Sequence, residues 1–314
     1  MRRRVPALLT VVPVAVLVGG YWIYWNGKRE AFRADLTRAL PGVSFEVGGF
    51  PYRLSAGGGA IERSWSADGA RVGARGAEWS LDRQPWRPEL SLIGARRPTV
   101  ELTATGLGAL LIEADKGRAS VNRSEERVSS EFEAARVRLV EPRGADAVPL
   151  QAERFELHVR QTPQSDAPGP APRAQVYVRA AGLRLRPGAG DALGVELALT
   201  LRSPLPLVRP TRAVSATSDS FVVTGPGGEL ASGSLQLAAS PSGGLSVSGT
   251  IATTCPRQWA QLLGGAPAPR PEYRARVPVM LSFAGPLTAP RLTNPFPALI
   301  PARTREKPCP RFAG

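Results

Sequence analysis

The chain reads as a mainly β protein carried behind one N-terminal apolar helix, and three observations carry that reading. Residues 5–25 contain no charge and follow directly on Arg2, Arg3 and Arg4. Downstream, short runs of alternating apolar and polar residues recur over most of the chain, the period-2 pattern of strands buried on one face. Gly and Pro, 33 and 31 of the 314 residues, close those runs at a density that suits turn-rich β structure and stays below that of low-complexity disorder. Few segments between the runs could be crossover helices, so an extended antiparallel meandering sheet is expected rather than a parallel α/β one.

The apolar run comes first. A helix rises ~1.5 Å per residue, so residues 5–25 match the ~30 Å hydrocarbon core of a bilayer. Tyr21, Trp22, Tyr24 and Trp25 close the run with side chains that suit a membrane–water interface. Basic residues on short loops stay cytoplasmic, so residues 1–4 are expected inside and the bulk of the chain in the periplasm; Lys28 and Arg29 are a sparser competing pair. Pro6 and Pro13 are tolerable in a membrane helix. A cleaved secretory signal shares the basic start and the apolar run, with Gly20 ahead of Tyr21 as its cleavage point. The run exceeds the ~7 to 15 residues of a signal core and lacks an Ala-x-Ala site. A single-pass inner-membrane anchor over residues 5–25 is therefore expected.

Residues 26–42 follow as an amphipathic helix, with Phe32, Leu36 and Leu40 on one stripe and Glu30, Arg33, Asp35 and Arg38 elsewhere; Pro41 and Gly42 stop it. The stripe would cap the sheet or lie on the membrane. Residues 43–300 form the expected β-rich domain. Val43, Phe45 and Val47 alternate as a strand that Gly48, Gly49, Phe50 and Pro51 bend or break. Val100, Leu102 and Ala104 continue the pattern, and Phe132 with Ala134 gives way to Val137 with Leu139 across a bulge at Ala135. Phe155, Leu157 and Val159 face one side while Glu156, His158 and Arg160 face the other.

The proline-rich stretch 162–174 has no periodicity and reads as a long loop within one sheet system. Alternation resumes through Val195, Leu197, Leu199 and Leu201, and later through Val277, Val279, Leu281 and Phe283. Residues 254–263 read as a short helix with Thr254 as N-cap, Trp259, Leu262 and Leu263 on one face, and Gly264 and Gly265 beyond it. Residues 301–314 read as a tail unless Cys309 ties it down.

The net charge is +14, three of it from the N-terminal arginines, and apart from Lys28, Lys116 and Lys307 the cations are arginine. Such a surface is either a solvated face or an attraction to anionic lipid. Nucleic acid is excluded as a partner, because the anchor points the domain away from the cytoplasm and no arginine cluster is interleaved with aromatics for base stacking. The two cysteines, Cys255 and Cys309, are a candidate disulfide in an oxidising compartment, the alternative being unpaired thiols. The bridge would close a loop of ~55 residues, worth ~4 kcal/mol if unstrained.

No chemistry emerges. The sequence lacks HExxH, GxSxG, a Walker A loop and SxxK, and its single histidine, His158, falls on the wet face of a strand. Glu125 and Glu126 are a solvated pair on a turn. Trp65, Trp79 and Trp86 could line a ligand site, but core anchors are the commoner use of such residues. No enzyme activity, cofactor or metal site is expected.

The anchor with its aromatic end, the amphipathic helix and the segment Val47-Gly48-Gly49-Phe50-Pro51-Tyr52-Arg53-Leu54 together resemble the DUF2125 family, bacterial envelope proteins of unknown function. Gly49, Phe50, Pro51, Tyr52 and Arg53 match its Gly-Phe-Pro-aromatic-Arg motif, and Arg83-Gln84-Pro85-Trp86 is similar to its later Pro-Trp segment. The resemblance implies a membrane-anchored, periplasm-facing protein and brings no catalytic residues. The Gly-punctuated strands around Gly227-Gly228 and Phe283-Ala284-Gly285-Pro286 resemble, more loosely, β-rich envelope proteins that carry lipid in an apolar groove. The leading expectation is a membrane protein binding lipid or another hydrophobic ligand on its sheet. The alternative is a structural or scaffolding protein of the envelope, docking a partner protein through its basic face.

Overall fold

A computed structural model of the chain describes residues 7–67, 70–104, 108–140, 147–161, 174–185, 190–201, 215–240, 244–265, 271–294 and 303–312. Its first element, α1 (Ala7–Ala39), is one helix that runs from residue 7 of the apolar segment through residue 39 of the amphipathic one. The separate helix expected from residue 26 is thus a continuation. Gly27 costs ~1 kcal/mol in a helix interior but removes no hydrogen bond, and Asn26 donates back to the Trp22 carbonyl at 3.1 Å. The helix stops at Pro41 and Gly42, the latter at φ 76°.

From Val12 onward the helix side chains are described; Val14, Val16, Leu17, Val18 and Ile23 are exposed, positions that at ~100° per residue lie all round the helix. Among the described residues no helix is long and apolar enough to cross a membrane.

The first strand, β1 (Glu46–Gly48), is shorter than the alternation suggests: Val43 and Phe45 precede it and pack against the cluster between helix and sheet, Phe45 on the Trp79 ring at 6.3 Å. Then come β2 (Leu54–Gly58), β3 (Ile61–Ala67), β4 (Ala70–Gly76), β5 (Glu78–Gln84), β6 (Arg87–Arg96), β7 (Thr99–Ala104), β8 (Gly108–Glu113) and β9 (Lys116–Asn122). Taken in twos, β2 to β9 are four long strands bent at their middles: β2 pairs β5 while β3 pairs β4, and β6 pairs β5 while β7 pairs β4.

The long strand β10 (Arg127–Val140) pairs β9 through its first half and β8 through its second. The meander continues through β11 (Ala147–Gln161), β12 (Ala174–Leu183), β13 (Leu193–Leu201), β14 (Ser215–Gly225), β15 (Gly228–Ala239) and β16 (Leu245–Thr253), each antiparallel to the one before. The helix α2 (Pro256–Leu262) and β17 (Tyr273–Ala275) precede β18 (Val279–Pro286), which pairs β16 and then β19 (Arg291–Leu292). Among the described residues these strands other than β17 form one 18-stranded sheet with β20 (Arg303–Pro308) excluded; β20 pairs β17 in a sheet of its own. The C-terminal segment is therefore tied to the body rather than a tail.

A crease crosses the sheet where the long strands bend. Hydrogen bonds run along it, from Ala77 to Arg96, Arg97 to Asp115 and Asp115 to Glu133 at 2.8–3.0 Å. Arg97, Ala134 and Gly182 take φ of 47°, 53° and 64° there. No residue is inserted at the bulge expected at Ala135: β10 keeps its register with β8, β9 and β11 across this point, and the break in alternation is a kink at Ala134, whose positive φ turns the side chains over. Ala135 itself is fully buried on the same face as Phe132 and Val137.

One face of the sheet is mainly apolar, with Arg83 and Ser91 as buried polar exceptions. The row Leu157, Val178, Leu197, Phe221, Gly233, Ile251 and Leu281 crosses it strand by strand in direct register. Gly233 is required: a Cβ there would lie 2.0 Å from the Thr250 carbonyl oxygen and 3.0 Å from the Phe221 ring. The opposite face is charged, with ion pairs Glu131–Arg154 and Glu196–Arg179 at 3.0 and 3.3 Å.

Candidate functional site

The motif at residues 49–53 is where helix and sheet are joined. Gly49 at φ 98° starts a turn into which a Cβ could not fit, 2.6 Å from the Arg53 carbonyl oxygen, and Arg53 N–H closes the turn on the Gly49 carbonyl at 3.1 Å. Helix side chains then donate to the backbone of two loops. The Tyr21 hydroxyl donates to the Pro51 carbonyl, Trp25 Nε1 to the Arg53 carbonyl at 3.3 Å and the Tyr24 hydroxyl to the Pro85 carbonyl at 3.3 Å. Phe50 stands edge-on to Trp25 at 5.3 Å and tilted to Tyr21 at 6.1 Å. Arg53 reaches Asp82 at 4.0 Å, and Asp82 also accepts from the Ser55 hydroxyl at 2.5 Å.

Beyond this junction α1 lies on the sheet. Trp25, Phe32, Leu36 and Leu40 are buried against Leu54, Ala56 and Trp79, so the apolar stripe caps the sheet. Under the helix sits Arg83, an ionic residue at an inward position of β5, beside Trp79 and Leu81. Its guanidinium lies 5.0 Å from the Phe32 ring centre, 3.6 Å from Asp35 and donates to the Ser91 hydroxyl at 3.2 Å. Burial lowers its pKa, with the nearby Arg123 charge adding to the fall and Asp35 opposing it. Alternation in β5 carried the signal, a charge where an apolar residue is expected.

From this helix-covered patch an apolar strip runs out across the sheet. Val121, Val128, Val159, Val176 and Leu199 are consecutive cross-strand partners on β9 to β13, the next members of the row that begins with Leu54, Arg83 and Ser91. At ~4.8 Å per strand the five span roughly 19 Å. None belongs to either buried cluster beside it, the Trp25–Trp79 group or the Phe132–Phe155 group. Val128 is 42% exposed, while the other strip residues are half-buried. Small side chains, Ala95 and Ala119, separate the two clusters on β6 and β9. Of the alternating apolar residues from Phe155 to Val159 and from Val195 to Leu201, Phe155 is in the core, and Leu157, Val159, Val195, Leu197, Leu199 and Leu201 are half-buried.

The strip lies at the end of the sheet that carries the motif loop and the Pro85–Trp86 turn. Arg87 starts β6, Asn122 ends β9 and Arg127 starts β10 at that same end.

The opposite face holds His158, as alternation places it, half-buried 3.5 Å from Glu156 and 5.7 Å from the Tyr177 ring. It borders a concavity of about 460 Å³ lined with Asp82, Arg118, Glu131, Arg154 and Glu156. Glu125 pairs with Arg127 on its turn at 3.3 Å. No group of three or more His, Cys, Asp or Glu side chains among the described residues could hold a metal ion. Of the three tryptophans read as core anchors, only Trp79 is one; Trp65 and Trp86 are about half exposed, 51% and 52%.

At the far end of the meander Cys255 and Cys309 form a disulfide, with Cα atoms 5.8 Å apart. Phe312 inserts into the main core, edge-on to Trp259 at 5.2 Å. Thr254 is not the helix cap: the N-cap position is Cys255 without a side-chain bond. The buried Glu272 carboxylate accepts from Arg257 and Gln258 N–H at 3.0 Å each, a long-range cap that no local pattern encodes. Buried Arg274 likewise donates to the carbonyls of Pro226, Gly227 and Glu229, fastening the β14–β15 turn.

Against known proteins, a family model described as "Uncharacterized protein conserved in bacteria (DUF2125)" matches residues 42–288, from the end of α1 to just past β18. No curated protein and no solved structure matches the chain.

Proposed function

We propose that this chain, which belongs to the DUF2125 family of uncharacterized bacterial proteins, is an envelope protein held in the inner membrane by residues 5–25, and that its periplasmic sheet binds lipid or another hydrophobic ligand. The role is binding, not catalysis. The observation that carries it is the half-open row Val121, Val128, Val159, Val176 and Leu199, an apolar strip left beside two buried clusters and continuing the row that starts at Leu54 under α1. Soluble domains rarely leave contiguous apolar surface without a use for it.

The membrane placement draws on the exposed apolar side chains all round α1 from Val12 to Ile23, which a hydrocarbon surround would cover. The Cys255–Cys309 bridge suits an oxidising compartment such as the periplasm.

Native mass spectrometry of the full chain purified in detergent, with extraction and identification of bound lipid, tests the reading. Wild type should retain lipid, and Val128→Asp, at an exposed strip position that tolerates a charge, should lose it. A chain that carries no lipid after purification, and none after incubation with phosphatidylglycerol and phosphatidylethanolamine, would overturn the proposal. It would favour a scaffolding protein that docks a partner through its arginine-rich surface.

A further inference from the structure

We infer that Phe50, Tyr52 and Trp86 form an aromatic footing that enters the lipid headgroup layer around α1 and seats the strip-bearing end of the sheet on the bilayer. The inference rests on the membrane anchoring proposed above and adds to it a second, independent contact made by the β domain.

The three side chains come from two loops far apart in sequence, yet all are about half exposed or more, at 48%, 74% and 52%. Phe50 rests one edge on Trp25 and Tyr21, yet half of it, like most of Tyr52 and half of Trp86, stays uncovered by the domain. Their loops are fixed at one height by the helix: the carbonyls of Pro51, Arg53 and Pro85 accept from Tyr21, Trp25 and Tyr24. That height is the aromatic end of the apolar segment, where Trp22 is exposed as well. Tyr and Trp have an apolar body and a polar tip, which places them at the boundary between hydrocarbon and water.

The neighbouring charges fit an anionic headgroup layer. Lys28 lies over the Tyr24 ring at 5.5 Å and Arg29 over the Trp25 ring at 5.8 Å, and exposed Arg53 and Arg87 flank the two loops. Because the helix bonds hold both loops and Phe50 packs on Trp25, the domain cannot swing away from the surface without breaking the junction. The strip therefore opens at the bilayer from which the helix emerges, and an acyl chain can pass onto it without crossing water.

Fluorescence quenching in the full chain tests this. The two native cysteines are in the disulfide, and the described residues hold no free one, so a single new cysteine can carry an environment-sensitive nitrobenzoxadiazole label. Tyr52→Cys, Trp86→Cys, Trp65→Cys and Val16→Cys are reconstituted in vesicles of phosphatidylethanolamine and phosphatidylglycerol, with nitroxide placed on the headgroup or deep in the acyl chain. Positions 52 and 86 should lose most of their emission to headgroup nitroxide, position 16 to the deep nitroxide, and position 65, beyond the crease, to neither.

If 52 and 86 behave like 65 while 16 is quenched, the footing is wrong and the anchor stands. If 16 is not quenched by the deep nitroxide, the anchor reading fails and the footing fails with it.

Discussion

Replacing Phe32 by alanine probes whether α1 is docked rigidly on the sheet or merely tethers it. Phe32 is 2% exposed, wedged between Leu36, the β2–β5 surface and the Arg83 guanidinium. An aromatic side chain buries roughly 150–250 Å², which at ~25 cal/mol per Å² is roughly 4–6 kcal/mol as an upper bound. Measured Phe→Ala losses in cores run about 3–5 kcal/mol. The ring's contact with Arg83 adds about 0.5–1 kcal/mol if the cation stays hydrated and about 2 kcal/mol where it is desolvated. Such a loss is a large part of the ~5–15 kcal/mol that holds a typical domain together. A guanidinium titration of the full chain in detergent, followed by tryptophan emission, reads it directly, since Trp25 and Trp79 belong to the same buried group. Phe32→Ala should move the first transition down by about 3–5 kcal/mol. Phe32→Leu, which keeps most of the volume and loses the ring, should cost only ~1–1.5 kcal/mol. An alanine variant within about 0.5 kcal/mol of wild type, the range of an ordinary surface change, would mean that the helix is a tether and that the junction does not orient the sheet.

Other perturbations probe other parts of the fold. Ala134→Gly should stabilise the protein by up to ~1 kcal/mol in the same titration, because Ala134 holds φ 53° at the crease and glycine takes that conformation without the Cβ penalty. Gly233→Ala should cost at least ~1–3 kcal/mol, since its Cβ would fall on the Thr250 carbonyl and Phe221 must also yield. Reducing Cys255–Cys309, at a sequence separation of 54, should lower stability by ~4 kcal/mol, read as a shift of the unfolding midpoint with and without reductant. Glu272→Gln should cost about 1–3 kcal/mol by weakening the bonds to Arg257 and Gln258 N–H, and hydrogen exchange at those two amides should quicken.

The periodicity of the sequence made the sheet legible because the side-chain period of a strand reports which face is buried, whatever its neighbours are. Phe155 against His158 and the stripe of Phe32, Leu36 and Leu40 both ended on the side that periodicity assigns. What escaped has a long-range cause. The crease is a line of backbone kinks across several strands and reveals itself locally only as a shift of alternation between Phe132 and Val137. The Glu272 cap and the Arg274 clasp depend on contacts across 14 to 48 positions, which no window of sequence contains. Continuity of α1 is not legible in the sequence because a change of composition at Asn26 and Gly27 looks like a boundary, although neither residue interrupts this helix. The strip combines both cases: its valines are visible one strand at a time, but their alignment beside α1 is set by register.

The apolar strip is tested most directly by asking what touches it in the membrane. A photo-crosslinking amino acid placed at Val128 in the full chain, expressed in cells and irradiated, should yield an adduct with the mass of a lipid. The same residue at Glu196, on the opposite face and paired with Arg179, should yield none. Lipid adducts at Val128 and not at Glu196 are the predicted result; no lipid adduct at Val128, or equal yields at the two positions, would contradict lipid binding by the strip.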